Sequence, residues 1–202
     1  MKISNIEIIV VNGNLAENDA QCLVVPEFTS CASSGGVGAA IYRSGMEQGM
    51  NEYDDHAQNS PLKYGEVLLT RSGRTDTLLS HVATAGAPAD EQFEVVFKAM
   101  LNTLLQAHEL GVRTIAVPEL CTGIIGNLTQ AQSARAIFCA VQKFTEMEPQ
   151  NDILSVSLVI FRNSTEPAKQ VLSDGSYKTF SNERGQKPFD MAAWLIGMGW
   201  IR

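Results

Sequence analysis

Thr114-Ile115-Ala116-Val117-Pro118-Glu119-Leu120-Cys121-Thr122-Gly123-Ile124-Ile125-Gly126 is the stretch whose reading decides the fold. Thr114 to Val117 is a short apolar run that reads as a buried strand, and a helical pattern follows from Asn127 to Thr145. A strand that passes through small residues and glycine into a helix leaves backbone N–H groups without partners, beside a helix end that favours negative charge. Cys121 to Gly126 is therefore expected to grip an anion such as phosphate. The plainer alternative is a tight strand–helix turn that needs glycine for a positive φ. A cysteine nucleophile in a Cys-x5-Arg phosphatase loop is excluded, because the sixth residue after Cys121 is Asn127 and the loop lacks that cation.

Outward from this loop the chain alternates strand and helix signals. Ile6 to Val11 is a β-branched run closed by Asn12-Gly13-Asn14, and Ala20 to Val25 reads as a strand stopped by Pro26. The small residues Thr29 to Gly36 then lead into a helix beginning near Gly36, a second glycine loop of the same design. Asn51 to Lys63 reads as polar and turn-like. Glu66 to Arg71 and Thr77 to Thr84 read as strands joined at Ser72-Gly73-Arg74. Phe93, Val96, Phe97, Met100, Leu101, Leu104 and Leu105 mark one helix face ended by Gly111. Ile153 to Phe161 is the last strong strand, with a short helix from Thr165 to Leu172. Near-continuous apolar strands between helices predict an α/β fold, a three-layer α/β/α sandwich with a mixed, largely parallel central sheet. Ligands of such sheets sit beyond the carboxyl ends of the strands, where both glycine loops and the end of the Phe161 strand can converge.

The 202 residues fit one domain over 1–175 with an extension over 176–202. The net charge of −7, from 15 basic and 22 acidic residues, argues against general nucleic-acid binding, since that rests on Lys and Arg neutralising phosphates. It leaves room for a small anion held by backbone groups. Cys22, Cys31, Cys121 and Cys139 form no CxxC pair, so no metal site and no cofactor is expected, and free thiols suit a reducing, cytoplasmic setting. No run approaches the roughly 20 apolar residues of a membrane span, so no membrane contact is expected.

The order of the pieces resembles a macro domain, the fold that binds ADP-ribose, over roughly residues 6 to 173. Gly13-Asn14-Leu15 resembles the Gly-Asp-Ile/Leu element of that family, and Ser34-Gly35-Gly36-Val37 its Gly-Gly-Gly-Val loop. Gly65-Glu66-Val67 and His81 resemble its Gly-Glu-Ala/Val and Ile-His strand pair. Cys121-Thr122-Gly123-Ile124-Ile125-Gly126 after Pro118 resembles its Pro-x-x-Ser-Thr-Gly-x-x-Gly loop. The chain departs from the family at Val25-Pro26-Glu27-Phe28, where Asn-Ala-Ala-Asn is usual. Phe28 falls on the Asn that contacts the distal ribose and supports catalysis in hydrolytic members. Asn14 replaces the Asp that receives the adenine amino group.

The resemblance implies ADP-ribose or a related small nucleotide as ligand, with ADP-ribosylated protein as a further partner. Ser34, Gly35, Gly36 and Val37 with Cys121, Thr122, Gly123, Ile124, Ile125 and Gly126 would hold the phosphates, and Asn14, Leu15, Phe161 and Asn163 would flank adenine. Asn14 alone could be a turn residue and Phe161 a core residue. Glu27, directly after the second strand, is the better placed general base, with Asp54 and Asp55 behind it. His81, inside an apolar strand, reads as structural. Three functions stay open: a hydrolase of an ADP-ribosyl or ADP-ribose 1″-phosphate bond, a reader without catalysis, and a degenerate fold serving assembly. The apolar end around Met191, Trp194, Leu195 and Trp200 is expected to pack on the domain or in a homodimer.

Overall fold

Seven strands form one sheet in a computed structural model that describes residues 1–124 and 126–178. In chain order they are β1 (Lys2–Ile3), β2 (Ile6–Asn12), β3 (Cys22–Glu27), β4 (Val67–Arg71), β5 (Leu78–Ala83), β6 (Thr114–Pro118) and β7 (Ser155–Ile160). The spatial order is β1-β2-β7-β6-β3-β5-β4. The five central strands run parallel and the two edge strands, β1 and β4, antiparallel. Helices α1 (Gly36–Arg43) and α2 (Glu47–Asn59) cover one face; α3 (Gln92–Glu109), α4 (Gln130–Met147) and α5 (Glu166–Asp174) belong to the other. This is the expected α/β/α sandwich.

The alternation along β3 shows how the layers are filled. Cys22 and Val24 join the larger core with Phe97, Leu101, Ile137 and Phe138 of α3 and α4, while Leu23 and Val25 join Ile41, Met46 and Met50 on the opposite face. All four β3 residues are at most 1% exposed, as a strand covered on both sides requires.

At α2 and at Pro26 the structure differs from the sequence reading, each time for a physical reason. Asn51 to Lys63 is largely helical, because α2 runs from Glu47 to Asn59 on the buried stripe Met50, Tyr53 and Ala57. Its exposed face is held by i,i+4 hydrogen bonds from Gln48 to Glu52 (2.8 Å) and from Gln58 to Asp54 (3.0 Å). Pro26, expected to stop β3, lies within it. The carbonyl of Glu27 accepts from Thr84 and Ala85 on the β5 side, so the missing N–H of Pro26 faces β6, where no ladder bond is needed.

That side is open because β3 and β6 part company. Their register holds only at Cys22–Ile115 and Leu23–Ala116, while β3 stays with β5 to Ala83 and β6 stays with β7 to Val159. Pro26 and Pro118 stand on the two sides of the divergence and withdraw one donor from each strand. The result is a wedge at the carboxyl edge of the sheet.

After α5 a 3-10 turn, Ser176–Lys178, packs onto α4. Tyr177 is buried edge-on to Phe138 at 6.4 Å, and its carbonyl accepts from the Cys139 thiol (2.7 Å). The apolar sequence over 179–202 and Ile125, both named in the expectations above, lie outside the described residues. Among the described residues no helix is long and apolar enough to cross a membrane.

Candidate functional site

The wedge opens into a cleft of about 610 Å³. One wall is the stretch after β3, with Ser34, Gly35, Gly36 and Val37. The facing wall is the stretch after β6, with Cys121, Thr122, Gly123, Ile124 and Gly126; Phe161 and Asn163, after β7, line it too. Eleven of the fourteen residues expected to bind ligand thus share one cavity.

Two of the others do not. Asn14 caps the 3-10 turn Leu15–Glu17, its side-chain oxygen accepting from Ala16 (3.2 Å) and its amide donating to Glu17 (3.0 Å). Leu15 is 5% exposed and belongs to the core under α1. Neither lines the cleft, because the amide of Asn14 is committed to holding its own turn.

The first wall is built for free N–H groups. Gly36 has φ +50°, and α1 starts behind Gly35 with no side-chain cap, so its first-turn N–H groups have no side-chain acceptor. The second wall is shaped by bonds that fold the loop back on itself. Leu128 donates to the Cys121 carbonyl (3.0 Å), Gly126 to the Gly123 carbonyl (2.9 Å) and Asn127 to the Gln92 side chain (2.8 Å). Cys121 turns in the left-handed region (φ +56°). A side chain on Gly126 would collide with the Cys121 carbonyl, so only glycine fits that crossing. Among the described residues the N–H groups of Thr122, Gly123 and Ile124 donate to nothing.

The helix behind this loop starts later than Asn127. Thr129 and Gln132 form a reciprocal capping box that closes the end of α4. The second wall therefore offers its loop N–H groups, while the capping box takes up the Thr129 and Gln132 N–H groups at the start of α4.

Burial raises the Cys121 thiol to about 12, and it donates to the Thr84 carbonyl (3.5 Å), so it remains a thiol at neutral pH. That agrees with the absence of an arginine six residues on.

Glu27, expected as a general base at the cleft, faces the other way. It is 0% exposed, lines no part of the cavity, and sits on the α2 side of β3 beside Val25. One carboxyl oxygen accepts from the Ser33 N–H, and the other meets Nδ1 of His81 at 3.2 Å. His81 Nε2 lies 2.8 Å from the Thr70 hydroxyl, which donates to the Gly49 carbonyl (3.3 Å). Tyr53 stacks on the imidazole at 4.7 Å. Burial pushes Glu27 up to about 8, opposed by the Ser33 hydrogen bond and reinforced by the charge of Asp54. Burial also lowers His81 to about 3. Both groups are then neutral at pH 7, and a single proton pattern satisfies the chain: Glu27 donates to Nδ1, and Nε2–H donates to Thr70. His81 is structural, as its strand position suggests.

The same cluster anchors the first wall. Tyr53 donates to the Phe28 carbonyl (2.5 Å), Asp54 accepts from Ala32 (3.0 Å), and Glu27 accepts from Ser33. Three side chains on the α2 face thus fix the backbone that leads to Gly35 and Gly36.

Sequence reasoning passed over Glu119, which lines the cleft. Glu119 stands inside the decisive stretch, half-buried, and burial raises its carboxyl pKa against the amides of Gln130 and Asn163. Phe28 and Phe161 expose rings to the cavity at 36% and 57%, and the Arg162 guanidinium lies 4.7 Å over the Phe161 ring. Strand alternation could have found Glu119, since Pro118 continues β6 and places the next residue at the open edge.

Comparison with known proteins follows the same line. A Sulfolobus acidocaldarius protein is 32% identical over 130 residues, 62% of this chain and 70% of that one. An Aquifex aeolicus protein is 30% identical over 140 residues, 68% of this chain and 82% of that one; both relatives are uncharacterised. The Oceanobacillus iheyensis macrodomain solved with ADP superposes at a TM-score of 0.77 with 19% identity, covering 89% of this chain and 96% of its own. The Trypanosoma brucei macrodomain in complex with ADP-ribose superposes at 0.69 with 20% identity, covering 82% and 68%. The family model for the macro domain matches residues 28–137, more than half of the chain and both walls of the cleft beyond Phe28, so the chain belongs to the macro domain family.

Proposed function

We propose that the cleft binds ADP-ribose or a related nucleotide diphosphate, and that the protein acts as a binding module. The observation that carries this reading is the pairing of two strand-to-helix stretches with uncommitted N–H groups on facing walls of one cavity. Such groups suit a diphosphate whatever the net charge of the chain, because they act as fixed partial charges at short range. Phe161 supplies a face for the adenine, and Asn163 an amide beside it. The macrodomain structures solved with ADP and with ADP-ribose support the choice of ligand.

Binding is favoured over hydrolysis by two side chains. Glu27 is sealed on the far side of β3, and Phe28 brings an aromatic ring to the cavity at a position where the hydrolytic reading needs a polar group. A protein carrying ADP-ribose is the natural larger partner, since the cleft is open to the surface.

Isothermal titration with ADP-ribose tests the reading, with adenosine as a control that lacks phosphates. Heat and a rise in Tm are expected with ADP-ribose and only weak effects with adenosine. No heat and no Tm shift at millimolar ADP-ribose would remove the proposal. Turnover of an ADP-ribosylated substrate by the wild-type protein would return hydrolysis to first place.

A further inference from the structure

Two exposed aromatic rings flank the cleft, and the ligand above has only one base to place on them. Phe161 follows β7; Phe28 follows β3 and lies over the β5 side. A Cβ built on Gly86, just past β5, would stand 3.7 Å from two ring carbons of Phe28 and 3.6 Å from the Tyr64 hydroxyl. That hydroxyl donates to the Gly86 carbonyl (2.8 Å). One edge of the Phe28 ring is therefore backed by Gly86, and 36% of the residue stays open. Its backbone does not drift, because Tyr53 holds the Phe28 carbonyl and the Thr84 and Ala85 N–H groups hold the carbonyl before it.

Both rings line the one cavity, and the strand order puts them on either side of the loop after β6. Phe161 follows β7 and Phe28 follows β3, and β6 is the strand between those two in the sheet. The loop after β6, with its free N–H groups, follows the strand between them, and the stretch Ser33–Val37 lines the same cavity. Two aromatic rings on either side of a loop with free N–H donors are the complement of a molecule with two planar bases joined through a diphosphate. An exposed ring that stays in water gains nothing, whereas base stacking on it recovers apolar area.

We propose that the preferred ligand is a dinucleotide that keeps its second base, and that Phe28 is the platform for that base. This deepens the binding function above and rests on it, since the diphosphate between the bases would use the same two loops. It assigns to Phe28 a specificity role: ADP-ribose has no second base to stack on this ring.

Nicotinamide adenine dinucleotide and diadenosine diphosphate are the probes, because each differs from ADP-ribose chiefly by a second base. Calorimetry on the wild-type chain should give at least one of them an affinity about tenfold above that of ADP-ribose, the worth of one stacked base. Phe28→Ala should bring the favoured dinucleotide to within about threefold of ADP-ribose, while Phe28→Trp should keep the preference, since it retains a ring to stack on. Tm measured for each variant shows that it is folded. ADP-ribose binding as tightly as both dinucleotides, or a preference that survives Phe28→Ala, overturns the inference and leaves the diphosphate site standing. Binding of none of the three overturns both.

Discussion

Glu119 brings a carboxylate into a cleft whose other groups favour anions, and this conflict has a measurable consequence. Burial already raises its pKa, and a diphosphate held by the neighbouring loop would raise it further, so binding takes up a proton. By linkage, affinity for ADP-ribose should rise as pH falls through the titration of Glu119 and level off once the carboxyl is neutral. Glu119→Gln should remove this dependence. Because the site is open and half-buried, the repulsion is worth about 1 kcal/mol, so the variant should bind about fivefold more tightly at pH 8. Calorimetry between pH 5.5 and 8 reads both effects. Weaker binding by the variant would mean instead that the carboxylate accepts a hydroxyl of the ligand's ribose.

The loop after β6 is an element whose shape depends on one crossing. Gly126 passes so close to the Cys121 carbonyl that a methyl group there must push the two segments apart. That displacement would also stretch the Leu128 to Cys121 hydrogen bond that sets the loop's return. Gly126→Ala is therefore expected to weaken ADP-ribose binding at least about tenfold and to cost about 1–3 kcal/mol of stability, the range for a local clash. Full affinity in a folded Gly126→Ala chain, measured by calorimetry and Tm, would show that the loop is not part of the site. This loop, the glycine stretch after β3 and six of the seven strands were legible in the sequence, because continuous β-branched runs and glycine before a helix are local signals; the two-residue β1 is too short to show a pattern. Helix α2 was not, since Met50, Tyr53 and Ala57 are too few among thirteen residues to show their period. Glu27 was misread for the opposite reason. An acid at a strand end reads as exposed, and only the tertiary partners Ser33 and His81 make its burial tolerable. Phe28 and Glu119 are cleft residues by virtue of where β3 and β6 diverge, which is a property of register between strands distant in sequence.

On the scale of the whole molecule, the Glu27–His81 cluster ties β3, β4, β5, α2 and the first cleft wall together, and its charge state sets how stability varies with pH. Glu27 has its folded pKa raised from 4.5 to about 8, so its contribution is complete below 4.5 and is lost as pH rises through 8. His81 has its pKa lowered from 6.5 to about 3, so its contribution is complete above 6.5 and is lost as pH falls toward 3. Between 4.5 and 6.5 the two slopes oppose one another and the curve should be nearly flat. From 6.5 to 8 only Glu27 still changes, and the stability of the folded chain should fall by up to about 2 kcal/mol. The charged groups nearest the pair, Asp54 and the otherwise acidic α2, act in the same direction because they disfavour a second negative charge. Glu27→Gln reproduces the neutral acid, donating to His81 and accepting from Ser33, and cannot ionise. Its stability curve should lack the decline above 6.5 and should instead rise from 4.5 to 6.5, where the His81 slope is no longer cancelled. Glu27→Ala should be less stable at every pH, because it leaves the Ser33 N–H and the imidazole without partners. Urea denaturation of the three chains at pH 5, 6.5 and 8 separates these curves. Parallel curves for wild type and Glu27→Gln between 6.5 and 8 would mean that Glu27 does not carry the proton, and that the pair is held as carboxylate and Nδ1–H.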